Sequence, residues 1–102
     1  MSERKKSPPV QSLDRGLQLL EYVARTQQPA SLADLTQALE IDRSNVYRLA
    51  NTLVLRGFLT QLSGSKEYVL GPATGRLSSR FQWPKQVVGK FVNQNSNRKG
   101  MP

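Results

Sequence analysis

Two amphipathic helices separated by a tight turn are encoded in residues 31–57, SLADLTQALEIDRSNVYRLANTLVLRG. Ser31 and Asp34 have the spacing of a capping box, and the apolar residues around them predict a short helix. Asp42 is the predicted N-cap of the next helix, over about 42–56, and Gly57 suits the C′ position that ends it. Two helices joined by a tight turn are typical of a helix-turn-helix.

The second helix of this pair has a chemically divided surface. One side repeats apolar residues at i, i+3, i+4 and i+7, a spacing that requires it to face a core. The apolar residues are Val46, Leu49, Ala50 and Leu53. The residues of the opposite side are Arg43, Ser44, Tyr47, Arg48 and Asn51. These five fall within a sector of about 140° that contains no carboxylate, whereas a solvated helix usually mixes Glu with Lys, so the composition favours contact with nucleic acid.

A further helix is predicted upstream, with Ser12 as its N-cap. Its expected core side repeats apolar residues at i, i+4, i+7 and i+11. These residues are Leu13, Leu17, Leu20 and Ala24. Leu19 and Val23 widen this side, which indicates either a second contact surface or a thicker local core.

A β-hairpin and a last helix are predicted downstream. Two β-compatible runs, 58–62 and 67–70, flank the turn residues 63–66. Pro72 suits position N1 of the last helix. The apolar side of that helix is expected to contain Ala73, Leu77 and Phe81. The predicted fold class is therefore mainly α with a small β-hairpin, in the order of a winged helix-turn-helix.

The composition narrows the classes of function. The chain has 102 residues, 15 Lys and Arg against 7 Asp and Glu, a net charge of +8, and no Cys or His. Zinc fingers, iron–sulfur clusters, disulfide scaffolds and His-based triads are excluded because their ligands or bases are missing. The acids are scattered and no nucleophile has an adjacent base, so an enzyme, a metal site and a cofactor are not expected. No apolar run approaches a membrane span and no secretory signal is present, so a cytoplasmic, nucleoid-associated protein with an anionic partner is expected.

Both ends of the chain are interpreted as basic tails around one domain, 12–81. Residues 1–11 are polar with a Pro8-Pro9 break, and residues 82–102 are predicted to be disordered or weakly helical. Residues 68–102 contain 6 bases and no acid. A basic tail alone can bind nucleic acid without sequence preference, which is one alternative function.

From residue 12 to about 81 the chain resembles the N-terminal DNA-binding domain of the isocitrate lyase regulator (IclR) family of bacterial transcription factors. The resemblance is carried by SLDRGLQLL (12–20), SLADL (31–35), DRSNVYRL (42–49) and GFL (57–59) with YVLG (68–71). It implies a transcription regulator that binds double-stranded operator DNA as a homodimer, with half-sites in inverted repeat. A small-molecule effector is expected only if the larger effector-binding domain of the family is also present.

The positions of polar residues on the predicted elements, together with the resemblance, which matches Arg48 and the first helix, predict which residues act. The predicted DNA contacts are Ser31, Arg43, Ser44, Asn45, Tyr47, Arg48, Asn51 and Lys66. The predicted dimerisation residues, on the helix over 13–25, are Leu13, Leu17, Leu19 and Val23. Two positions depart from the family pattern: Glu40 replaces the usual Gly, and Asn45, which can contact adenine through two hydrogen bonds, replaces Thr.

Several of these positions have a structural alternative. Arg48 can instead form an ion pair with an acid, and Ser31 can act as a cap without touching phosphate. Tyr47 can simply shield the turn, and Lys66 can be a solvated turn residue. At the level of the whole chain, the alternative to reading DNA is a truncated regulator or interaction module that acts by protein–protein pairing through 13–25.

Overall fold

The computed structural model describes residues 7–82, which form four helices and one two-stranded antiparallel hairpin. The elements are α1 (Gln11–Arg25), α2 (Leu32–Leu39), α3 (Arg43–Leu55), β1 (Leu59–Gln61), β2 (Tyr68–Leu70) and α4 (Pro72–Ser79). The predicted order of elements and the winged helix-turn-helix fold are confirmed. Most of the two predicted tails, 1–6 and 83–102, lies outside the described residues.

One hydrophobic core joins the first three helices to the hairpin. Its buried residues are Leu19, Val23, Ala30, Leu35, Ile41, Val46, Ala50, Leu59 and Tyr68. The segment before α2 is tied to the hairpin by two backbone hydrogen bonds, from Ala30 N to Tyr68 O at 3.0 Å and from Tyr68 N to Ala30 O at 2.8 Å. Burial raises the pKa of the Tyr68 hydroxyl. These contacts fix the orientation of the hairpin relative to α2 and α3.

Helix α1 differs from its prediction in which side is buried. Leu19 and Val23 are 0% and 5% exposed, whereas Leu13 and Leu17 are 61% and 49% exposed. The predicted core side is therefore wrong for Leu13 and Leu17, although Leu20 does pack against the core. Leu19 and Val23 belong to the core, as the alternative of a thicker local core required, so their prediction as dimerisation residues is wrong. The buried side of α1 is the side that meets α3: Leu19 and Val23 pack in the same core as Val46 and Ala50. On this side a Cβ built at Gly16 would lie at ordinary contact distance, 3.9 Å, from Leu49 Cδ2.

The start of α1 and the last helix also need correction. Helix α1 begins at Gln11 after Val10, and no side chain caps it, so Ser12 is not the N-cap. Pro72 occupies the first turn of α4 as predicted, but that helix ends at Ser79. Of its expected apolar side only Ala73 is buried, while Leu77 and Phe81 are 63% and 52% exposed.

The helix-turn-helix segment matches its sequence signals closely. In the α2 capping box, Asp34 N donates to Ser31 Oγ and Ser31 N donates to Asp34 Oδ2, both at 3.0 Å. Gly57 has a φ of 86°. The N–H groups of Gly57 and Phe58 donate to the carbonyls of Val54 and Leu53, which is the Schellman pattern and ends α3.

The turn between α2 and α3 places Glu40 in the left-handed region, at φ 58° and ψ 43°. This conformation costs a non-glycine residue about 1–2 kcal/mol. Glycine adopts it without that cost, but glycine loses more backbone entropy on folding, which offsets part of the gain. We expect Glu40→Gly to raise the free energy of unfolding by about 0.5–1 kcal/mol in urea denaturation. Gln37→Gly, at an exposed position inside α2, is the control and should lower it by about 1 kcal/mol. A Glu40→Gly protein that is less stable than the parent would contradict the inference that the backbone of Glu40 is strained.

Candidate nucleic-acid interface

The polar side of α3 faces solvent because the opposite side is held in the core. Val46 and Ala50 are fully buried, which sets the rotation of the helix. The five polar side chains predicted to face outward are all exposed; they are Arg43, Ser44, Tyr47, Arg48 and Asn51. Between residues 7 and 82 the structure shows no group of three or more Asp or Glu side chains that could hold a metal ion. No helix in the same stretch is long and apolar enough to cross a membrane.

A first open cleft, which we call the wing cleft, lies between the starts of α2 and α3 and the tip of the hairpin. The predicted DNA contacts among its lining residues are Ser31, Arg43, Tyr47 and Lys66. Gln61, Ser65 and Tyr68 complete the polar part of the lining, which contains no carboxylate. Two cations and several hydrogen-bond donors on one carboxylate-free surface suit a phosphate group.

The tip of the hairpin holds Lys66 in an unusual backbone conformation. Lys66 has a φ of 64° and Gly64 a φ of 87°, so two residues of the turn are left-handed. Lys66 N donates to Leu62 O at 2.9 Å, and Gln61 Nε2 donates to Lys66 O at 3.0 Å. The backbone of Lys66 is therefore held in place while its side chain remains exposed at the wing cleft.

A second open cleft, the α1 cleft, lies between the start of α1 and the middle of α3. It brings the predicted contacts Asn45 and Arg48 together with Gln11, Ser12 and Arg15, and its lining also contains no carboxylate. Sequence reasoning missed Arg15, although a signal existed, because Arg15 lies four residues before the core residue Leu19 and therefore points toward α3. Across residues 7–82, Arg48 makes no ion pair, so that alternative is not realised within this part of the chain.

The remaining predicted contacts lie outside these two clefts or serve a second purpose. Ser44 and Asn51 are exposed on α3 but line neither cleft. Ser31 does act as the α2 N-cap, as predicted, and it also lines the wing cleft. The face of α3 is thus continuous from the wing cleft to the α1 cleft.

Asp42 organises the first turn of α3. Its Oδ2 accepts from Ser44 Oγ at 2.8 Å and from Asn45 N at 3.1 Å, and its Oδ1 accepts from Asn45 Nδ2 at 2.6 Å. The hydrogen bonds from Ser44 and then Asn45 lower the pKa of Asp42 below its usual 3.8. Asp42 is therefore ionised at neutral pH and is the predicted N-cap of α3.

A hairpin that follows two helices, with an exposed basic helix face between two carboxylate-free clefts, defines a winged helix-turn-helix DNA-binding domain. Comparison with known families agrees: residues 12–63 match the IclR helix-turn-helix domain. The chain belongs to the IclR family and carries the DNA-binding domain of a bacterial transcription regulator of that family.

Individual relatives support the same assignment. The chain is 33% identical over 79 residues to the transcriptional repressor IclR of Escherichia coli (strain K12), which covers 78% of this chain and 29% of that protein. The crystal structure of Pseudomonas aeruginosa HmgR has a TM-score of 0.63 and 28% identity, with 68% of this chain and 28% of that chain covered. An IclR regulator from Alicyclobacillus acidocaldarius has the same fold, with a TM-score of 0.69, 23% identity and coverage of 72% and 30%. The chain spans less than a third of the length of the curated relatives that it matches.

Proposed function

We propose that this domain binds double-stranded DNA with sequence preference and acts by binding, without catalysing a reaction. Helix α3 enters the major groove, and the hairpin contacts the flanking backbone or minor groove. The observation that supports this proposal most strongly is the position of the exposed α3 face. It lies between the wing cleft, with Arg43 and Lys66, and the α1 cleft, with Arg15 and Arg48.

The proposed contacts divide by their place on this surface. Arg48 and Asn45, in the middle and first turns of α3, read base edges, while Asn51 lies one turn further along and meets the groove wall. Arg43 and Lys66 hold one phosphate group from two sides of the wing cleft, and the hydroxyl of Ser31 and the ring of Tyr47 lie against the same strand. Ser44 contacts the DNA beside Asn45.

We also propose that two copies pair when bound, through the exposed apolar side of α1. Leu13 and Leu17 are the residues that support this, because both are more exposed than is usual for leucine and both lie on one side of the helix. A symmetric pair requires two half-sites in inverted repeat, separated by one helical turn, about 34 Å, or a multiple of it.

The test is selection from a pool of random duplexes near physiological salt, followed by sequencing of the retained DNA. Non-specific phosphate contacts weaken steeply there, since log K falls by about 0.9 per contact for each tenfold rise in salt. We expect an inverted repeat. A single enriched half-site would contradict pairing. Retention without enrichment would contradict sequence reading and favour non-specific binding through the positive charge of the chain.

A variant lacking residues 82–102 serves as the control in this selection. Removal of a tail that contributes only charge should lower the affinity for every sequence and leave the enriched motif unchanged. Loss of the motif together with the tail would show that α3 does not carry the specificity.

A further inference from the structure

The carboxylate of Asp42 makes more contacts than capping requires. An N-cap needs one side-chain acceptor for a backbone N–H of the first turn, and the bond from Asn45 N to Asp42 Oδ2 at 3.1 Å supplies it. The two shorter bonds, from Ser44 Oγ at 2.8 Å and from Asn45 Nδ2 at 2.6 Å, hold side chains. Both of these side chains belong to the proposed DNA-binding surface, so Asp42 arranges them before any DNA is present.

The neighbouring cap of α2 shows that this arrangement is specific to α3. The Ser31–Asp34 capping box has two reciprocal bonds, and both involve a backbone N–H as the donor. Both helices are therefore capped with side-chain oxygens. Only at Asp42 does the capping carboxylate also hold side chains that are predicted to reach DNA.

The chemistry of the bond to Asn45 determines which end of its amide is presented outward. An ionised carboxylate can only accept, so the amide must turn its Nδ2 to Asp42 and leave Oδ1 directed away from it. An aspartate is already ionised at neutral pH, and the hydrogen bonds from Ser44 and Asn45 lower the pKa of Asp42 further. A carbonyl oxygen facing the major groove accepts from an exocyclic amino group, N6 of adenine or N4 of cytosine.

We propose that Asp42 is a specificity-determining positioning residue: it holds Asn45 so that Oδ1 accepts a hydrogen bond from the amino group of one base in the major groove. This inference rests on the proposed function.

The test uses the full 102-residue chain, the selected duplex and a set of duplexes that each lack one exocyclic amino group. The base that Asn45 contacts is identified with Asn45→Ala: removal of the amino group of that base weakens binding of the parent protein but does not weaken binding of Asn45→Ala. Deleting that amino group should weaken binding of the parent about tenfold, the size of one net hydrogen bond. In Asp42→Asn, which retains a capping oxygen, the same deletion should weaken binding less than about threefold.

Asp34→Asn is the matched control, since it removes one negative charge at the start of the adjacent helix without touching Ser44 or Asn45. Its response to the amino-group deletion should equal that of the parent. Asp42→Ser, which also caps well, is a second variant in case the amide of Asp42→Asn disturbs the helix start. The side-chain amide resonances of Asn45 give a readout without DNA, and they should shift in both Asp42 variants and not in Asp34→Asn.

The outcomes separate this inference from the proposed function. A parent protein that enriches no sequence overturns both. A parent with a defined motif, together with an Asp42→Asn protein that responds to the amino-group deletion as strongly as the parent, overturns the positioning role of Asp42 and leaves sequence reading intact.

Discussion

Gly71→Ala is expected to lower the free energy of unfolding by about 3 kcal/mol, a large part of the total stability of a domain of this size. Gly71 is buried where β2 passes into α4. A Cβ built there would lie 2.4 Å from the Gly57 carbonyl oxygen and 3.0 Å from carbonyl carbons of Gly57 and Leu59. These neighbours are backbone atoms, so no side chain can rotate away to make room.

The backbone around Gly71 cannot move without losing hydrogen bonds. Gly71 N donates to Phe58 O, and Ala73 N donates to the same Gly57 oxygen that the new methyl would approach, both at 2.8 Å. These bonds connect the end of α3, the hairpin and the start of α4. Urea denaturation at 25 °C measures the effect, and a loss below about 1 kcal/mol would mean that this junction relaxes far more easily than its geometry indicates.

Gly75→Ala is the matched control because it makes the same chemical change in α4, four residues away. No atom lies within 4 Å of a Cβ built at Gly75. The variant should therefore gain helix propensity without a clash and raise the free energy of unfolding by about 0.5–1 kcal/mol. Opposite signs for the two variants would show that contact, and not the loss of glycine flexibility, causes the effect at Gly71.

The sequence predicts the helix-turn-helix and the hairpin well because their signals are local. Three of these signals depend only on atoms within a few residues, and all three are present in the structure. They are the capping box of Ser31 and Asp34, the N-cap Asp42 and the C′ glycine Gly57. The exposed side of α3 follows from the same cause, since Val46 and Ala50 leave only one rotation of that helix.

The rotation of α1 could not be predicted in the same way, because two apolar stripes run along that helix at similar spacing. The choice between them depends on which stripe packs against the rest of the domain, and in the structure Leu19 and Val23 share the core with Val46 and Ala50 of α3. The sequence of α1 alone does not contain that information. Arg15 was missed for the same reason, because its place in the α1 cleft can be predicted only once the buried side of α1 is known. The side-chain bonds of Asp42 reach residues only two and three positions away, but they depend on the rotamers of Ser44 and Asn45, which the sequence does not specify.

Arg48→Ala is expected to weaken binding to the selected duplex by about 5- to 150-fold, which corresponds to about 1–3 kcal/mol. Arg48 is exposed at the α1 cleft beside Asn45, in a lining without a carboxylate. Its removal should change the free energy of unfolding by no more than about 0.5 kcal/mol, because it supports no core contact. Fluorescence anisotropy at several salt concentrations measures the affinity.

The pattern of loss identifies what Arg48 contacts. If Arg48 reads a base, preference at one position relaxes and Arg48→Lys does not restore it, because lysine lacks the two-pronged donor geometry. If Arg48 holds a phosphate, the affinity for all sequences falls equally and the slope of log K against log salt concentration decreases in magnitude by about one.

Arg76→Ala is the control. The guanidinium of Arg76 lies near Gly57, beyond the end of α3, so the variant removes one charge outside the proposed surface and should change the affinity less than about threefold. Equal losses in Arg48→Ala and Arg76→Ala would mean that the net charge of the domain, and not the exposed face of α3, holds the DNA.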